Sequence, residues 1–299
     1  MALYPQARRA VAEAARSKPV WAADFDIAAA RAEARALALA EEREEVAEVV
    51  DLDADGVPCR LYRPRLEGAD TGSPGIVVHL HGGGFVFHDL EVHDAAARRL
   101  ANRSGLAVLS VDYRLAPEHP FPAAVEDVDI VLAHLRARTD EWARGATFLH
   151  GDSAGGNLAL VAALRNPGRV RALALVYPFL DPELGFPSYD TSADGFRPRE
   201  AAWYWEQYAA SPADLEHPDL APLRSDRLAE LPPTLVVTAE QDPLRDEGEA
   251  LALALAERDV EVVATRYLGQ VHGFWRHVDA FHAAEPLTRQ VAGFLRLHA

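Results

Sequence analysis

Along the 299-residue chain the spacing of apolar and polar positions changes several times, and each change predicts an element. Residues 3–17 and 26–45 are rich in Ala, Arg and Glu without any strand signal, which predicts two helices separated by Pro19 and Trp21. The stretch "EVVDLDADGVPCRLYRP" carries two β-type runs around Asp55-Gly56, the pattern of a hairpin over residues 46–63. Further on, short apolar runs alternate with helical ones. Strands are expected at "GIVVHLH" from Gly75, "LAVLSVDYR" from Leu106, "ATFLHG" from Ala146, "RALALVYP" from Arg171, "TLVVTAEQD" from Thr234 and "VEVVATRYLG" from Val260. Helices fill 90–103, 122–138, 154–164, 246–258 and 283–298.

Short apolar strands alternating with helices build βαβ units, hence an α/β fold with a mostly parallel sheet covered on both faces. The leading hairpin adds antiparallel strands at one edge. Between the strands at Arg171 and Thr234 the rhythm breaks into a segment rich in Pro, Asp and aromatic residues, with one helix near 198–209. Two units are expected: an N-terminal helical segment over 1–45, and an α/β domain over 46–299 with a cap insertion at about 182–215.

About half of the residues are apolar, enough for a large core. The formal net charge of −16 argues against nucleic acid or an anionic membrane as partner, because no basic patch can release phosphate counterions. Cys59 is the single cysteine, which excludes an intrachain disulfide and a thiolate metal cluster and predicts a buried, inert thiol. "MALYPQARRAVAEAARSKPV" is charged throughout and lacks the apolar run of a secretory signal, so the cytoplasm is the expected compartment.

"FLHGDSAGGNLALVAAL" places Ser153 between Gly151 and Gly155, after an apolar strand and before an apolar helix, the context of a G-x-S-x-G nucleophile elbow. A serine needs a base to take its proton. Of twelve histidines, His272 in "LGQVHGFWRH" follows the last strand in a loop and is the candidate. His277, His282 and His298, on or beside the final helix, are expected at the surface, and His119 in a structural turn. The third member should be a carboxylate at a strand end between the two. In "VVTAEQDPLRDEG", Asp242 ends the apolar run beside Pro243 and is preferred to Glu240, while Asp246 and Glu247 fall in the next helix's first turn. Acyl transfer also needs pre-aimed N–H donors for the developing oxyanion. Gly83 and Gly84 of "HLHGGGFVFH", with Ala154 after the nucleophile, are the candidates.

"HGGGF", "VDYRLAPEHPFPAAVED", "GDSAGGNLA", "DPLRDEG" and "HGF" occur in the order and context of the hormone-sensitive-lipase-like α/β-hydrolases, the bacterial carboxylesterases, which the chain resembles from about residue 45 to its end. The resemblance implies ester hydrolysis on short or medium acyl chains, no cofactor and no metal, a helical cap, and a monomer or homodimer. It also implies that His81 holds the oxyanion loop, that Asp152 fixes the elbow, and that Asp112, Tyr113, Arg114 and Glu118 form a structural network behind it. The same triad could serve an amide or peptide hydrolase. A ligand receptor or interaction module of this fold is the alternative in another class, disfavoured by Ser153, Asp242 and His272 all being present. The alanine-rich run 26–40, with Trp21, Phe25, Ile27, Leu37 and Leu39 as its large apolar groups, is expected to form a loosely held lid over the acyl pocket, its end at Glu41–Glu45 a solvated face.

Overall fold

A computed structural model describes residues 3–65, 75–138 and 145–299. Its strands are β1 (Glu48–Ala54), β2 (Val57–Arg63), β3 (Gly75–Leu80), β4 (Ala107–Val111), β5 (Ala146–Asp152), β6 (Leu173–Val176), β7 (Thr234–Gln241) and β8 (Val262–Val271). Helices are α1 (Pro5–Ala14), α2 (Ile27–Leu39), α3 (Leu90–Ser104), α4 (Ala123–Ala137), α5 (Ala154–Arg165), α6 (Ser188–Thr191), α7 (Pro198–Tyr208), α8 (Arg245–Ala256) and α9 (Ala284–Leu297). Among the described residues, no helix is long and apolar enough to cross a membrane.

The eight strands form one sheet in the order β1-β2-β4-β3-β5-β6-β7-β8. The hairpin β1–β2 joins antiparallel to β4 through β2, and every other pairing is parallel. Inner strands β3 and β7 are buried along their whole length because helices cover both faces, whereas edge strand β1 is mostly exposed. Alternation along β3 sends Ile76, Val78 and Leu80 to one core and Val77 to the other. Parallel pairing has the consequence that matters for function: β5, β7 and β8 all deliver their carboxyl ends to the same side of the sheet.

The N-terminal segment departs from expectation. Helix α2 stops at Leu39, and residues beyond it run as an extended strap of ion pairs rather than a solvated helical face. Arg43 pairs with Glu91 at 3.0 Å, Glu44 with Arg103 at 2.6 Å, Glu45 with Arg65 at 2.7 Å and Glu41 with Arg276 at 3.5 Å. The helix itself is tied down by arginines. Arg31 donates to the carbonyls of Val86 at 2.7 Å and Ala116 at 2.8 Å and forks onto Glu118, while Arg35 pairs with Asp89. Leu37 and Leu39, expected to roof a pocket, are 66% and 56% exposed. The polar tether does what the small apolar area of an alanine-rich face cannot.

Arg31→Ala should therefore lower unfolding stability by about 2 kcal/mol, since two carbonyls and a carboxylate lose a charged donor. Arg31→Lys should restore little, because a point charge cannot span three acceptors. Urea midpoints of the three proteins measure this. A change below about 0.5 kcal/mol for Arg31→Ala, within the ordinary scatter of surface substitutions, would show that α2 is held by other contacts.

Candidate active site

Ser153 lies between β5 and α5 with φ +54°, a left-handed conformation strained for a residue with a Cβ. Backbone hydrogen bonds fix it there: its N–H donates to Val176 O at 2.9 Å, and its carbonyl accepts from Gly156 at 2.9 Å and Phe179 at 3.1 Å. Glycine at 155 is a steric requirement, because a Cβ there would collide with the carbonyl of Leu80 at the end of β3.

His272 follows β8 and reaches the serine. Ser153 Oγ lies 2.9 Å from His272 Nε2, and His272 Nδ1 lies 2.8 Å from Asp242 Oδ2. Asp242, just after β7, is fully buried, and its other oxygen accepts from the Leu244 N–H at 2.9 Å. The buried carboxylate thus fixes the tautomer with the proton on Nδ1, leaving Nε2 free to accept from the serine hydroxyl. Glu240 points elsewhere and accepts from the Gly269 N–H at 2.7 Å. Burial opposes charge on His272, but Asp242, with Asp152 and Glu200 farther off, outweighs it and raises the imidazole pKa above its ordinary 6.5.

The glycine turn stands beside this line. Gly83 and Gly84 have φ of +124° and +59°, and a Cβ on Gly84 would enter the Tyr204 ring. Among the described residues, none accepts a hydrogen bond from the N–H groups of Gly83, Gly84 or Ala154. The turn is pinned through the Gly82 peptide. Its N–H donates to Asp152 Oδ1 at 3.0 Å, and its carbonyl accepts from His81 Nδ1 at 2.9 Å and His88 Nδ1 at 3.1 Å. The Tyr113 hydroxyl donates to the His81 carbonyl at 2.6 Å and its ring stacks on the imidazole. Asp152, with few donors and little water, has its pKa pushed up to about 6 by burial.

Behind the turn lies a histidine cluster that the sequence did not disclose. His79 and His150 are register partners on β3 and β5, and their Nδ1 atoms lie 2.9 Å apart. His79 Nε2 meets His93 Nδ1 at 3.3 Å, and His93 Nε2 meets His88 Nδ1 at 3.4 Å. Because the Gly82 carbonyl can only accept, the His88 Nδ1 that faces it carries a proton. The series ends at His150 Nε2, which is buried without a partner. Burial holds all four imidazoles neutral, with the pKa of His150 lowered to about 3. His79, His93 and Asp152 also place donor atoms within 4.8 Å of one another, a spacing compatible with a metal, but these atoms are engaged in the hydrogen bonds just described.

A cavity of about 220 Å³ opens over Ser153, lined by the glycine turn, Phe87, Phe179, Phe196, Tyr204, Glu200, His88, Arg276 and His277. His277 corrects an expectation: it borders the cavity and bonds Arg276 at 3.0 Å, because the chain after His272 turns back under the site before α9 begins. His282 is exposed and His119 sits in an exposed turn, while His298 is partly covered and rests against Phe294. Glu247 does more than open α8: fully buried, it accepts from the N–H groups of Leu180 and Asp181 and from Tyr189. Cys59 is buried, with its pKa pushed up to about 12 by burial, and so is unreactive.

A family model described as the alpha/beta hydrolase fold matches residues 77–276. The carboxylic ester hydrolase LipN of Mycobacterium tuberculosis is 38% identical, over 93% of this chain and 78% of its own length. The ethyl acetate hydrolase of Pseudomonas putida is 31% identical, over 100% of this chain and 98% of its own. Among solved structures, a hyperthermophilic esterase from the archaeon Pyrobaculum calidifontis superposes with a TM-score of 0.87 at 36% identity, covering 99% of this chain and 98% of that one. With this fold, a serine at its strained elbow and relatives of this kind over the whole chain, the protein belongs to the hormone-sensitive-lipase-like α/β-hydrolases and is a carboxylic ester hydrolase.

Proposed function

We propose that the enzyme is a serine carboxylesterase that cleaves short- to medium-chain esters through an acyl-enzyme. The reading is carried by one observation, the hydrogen-bonded line from Ser153 Oγ through His272 to buried Asp242. Ser153 attacks the ester carbonyl while His272 Nε2 takes its proton. Asp242 holds the imidazolium, and the free N–H groups of Gly83, Gly84 and Ala154 receive the oxyanion. His272 then gives its proton to the departing alkoxide, and the alcohol leaves with the acyl group bound to Ser153 Oγ. Water, deprotonated by the same nitrogen, attacks the acyl-enzyme; the C–Oγ bond breaks and Ser153 regains a proton.

In this reading His81 and Asp152 position the oxyanion turn through Gly82 and do not touch the reacting atoms. The N-terminal helices and the insertion near 182–215 act as a cap, consistent with Ala34, Phe196 and Tyr204 lining the cavity. The small cavity supports short acyl groups, as does the similarity to an ethyl acetate hydrolase. The lone buried thiol of Cys59 is consistent with a cytoplasmic enzyme.

Ser153→Ala should lower kcat by roughly 10⁴-fold or more with the fold retained. A phosphonate probe followed by peptide mass spectrometry should place the adduct on Ser153, and labelling of another serine would end the assignment. Asp242→Asn should cost on the order of 10⁴-fold through the wrong imidazole tautomer, whereas Glu240→Gln should cost little; reversed effects would move the carboxylate to Glu240. p-Nitrophenyl esters of graded length should give the highest kcat/KM at short acyl chains, with matched anilides far slower.

The pH dependence follows from His272. The base acts only when neutral and its pKa is raised above 6.5, so kcat/KM should fall as pH drops through a value above 6.5, about tenfold per unit below it. An acid limb centred well below 6.5 would contradict this electrostatic account.

A further inference from the structure

Glu200 is an acidic group in the catalytic cavity that the proposed chemistry leaves unused. It stands in the first turn of α7, where its charge suits the helix dipole. Its side chain accepts, at a long 3.4 Å, from the Tyr204 hydroxyl. Among the described residues it forms no ion pair. A carboxylate can accept about four hydrogen bonds, so this one keeps acceptor capacity turned toward a partly desolvated space. Burial raises its pKa against the opposing pull of His272 and Arg197, neither of which forms an ion pair with it. The same residue, with Phe87, also walls a second cavity of about 410 Å³ beneath Val20, Trp21 and Phe25.

Its neighbours say which part of an ester it would meet. Phe196, just before α7, stacks on the His272 ring with centroids 4.8 Å apart. Tyr204, one turn later, packs on Gly84 of the glycine turn. Glu200 therefore lies on the stretch of wall between the imidazole and the oxyanion donors, and its charge is felt at His272. The imidazole hands its proton to the leaving oxygen, so the alcohol half of the ester sits on this side.

We propose that Glu200 is a specificity-determining residue that accepts a hydrogen bond from a hydroxyl or ammonium group on the alcohol half of the substrate. The favoured substrates are then short-chain esters of diols, polyols or amino alcohols over those of simple alkanols. The proposal rests on the serine-esterase reading above.

The test compares kcat/KM for propyl acetate, 2-hydroxyethyl acetate and 2-(dimethylamino)ethyl acetate, which differ in the donor and share the acyl group. The parent enzyme should favour at least one donor ester over propyl acetate by about tenfold or more, the usual worth of a hydrogen bond to a charged group. Glu200→Leu should abolish that preference. Glu200→Gln keeps an acceptor oxygen without the charge, so it should preserve a preference for the hydroxyl and remove one for the ammonium. No donor preference in the parent, or the same preference in both variants, overturns the proposal; if Glu200→Leu does not fold, loss or retention of the ammonium preference and of the hydroxyl-to-propyl ratio in Glu200→Gln decides it. Phosphonate titration of Ser153 in each protein separates the two readings. Full labelling with unchanged ratios sinks the role of Glu200 alone, whereas a parent enzyme unlabelled at Ser153 sinks the serine mechanism.

Discussion

The approach of Gly155 to the end of β3 is the contact on which the site depends. The missing Cβ lets α5 begin directly against the Leu80 carbonyl, and the same closeness sets the residue after β5 beside the residues after β3. One tight turn therefore brings Ser153 and the glycine turn together, although Gly84 and Ser153 stand 69 positions apart in the chain. The parallel sheet supplies the rest. With β6, β7 and β8 added in sequence order on one side of β5, Asp242 and His272 emerge at the same edge without any long loop having to carry them there.

A second consequence is electrostatic. Pinning the glycine turn requires Gly82 to be held at both its N–H and its carbonyl, and the structure uses a buried carboxylate for one and two imidazoles, His81 buried and His88 half-buried, for the other. Neutral imidazoles can donate there without bringing positive charge next to His272. The negative charge of Asp242, reinforced by Asp152 and Glu200, is thus left to outweigh the effect of burial at His272. The surrounding histidines have their pKa values lowered by burial and stay neutral beside it.

What was legible in the sequence was what local pattern encodes. Strand and helix positions followed from apolar period, and Ser153, Asp242 and His272 from their places at strand ends. Long-range partners were not legible. The run 26–45 looked helical to its end because Glu and Arg suit a helix, yet Arg43, Glu44 and Glu45 face Glu91, Arg103 and Arg65, and pairing across the chain favoured an extended strap. Leu37 and Leu39 read as roofing, but the face of α2 that reaches the site carries Ala34. His79 and His150 sit at core positions of apolar strands, and only the β3–β5 register reveals that they meet. Glu200 carried no signal at all, since a glutamate in a helix's first turn is unremarkable until the helix is seen to face a cavity.

The layer of chain over Ser153 combines two kinds of contact with different physical consequences. Near Ser153 it presents rings: Phe196 on His272, Phe87 against Trp203 and Tyr204, and Phe25 against Phe87. These exclude water and strengthen every charge interaction inside. At its outer side α2 is held by guanidinium groups on carbonyls and carboxylates, contacts with little apolar area behind them. An aromatic roof resists opening by its buried area, whereas partly exposed ion pairs exchange with water at small net cost. Arg31 is the exception among them, because its two backbone acceptors belong to the segment that follows the glycine turn and to the Leu115–Glu118 stretch beside it. That one side chain thus ties α2 directly to the backbone just beyond the glycine turn.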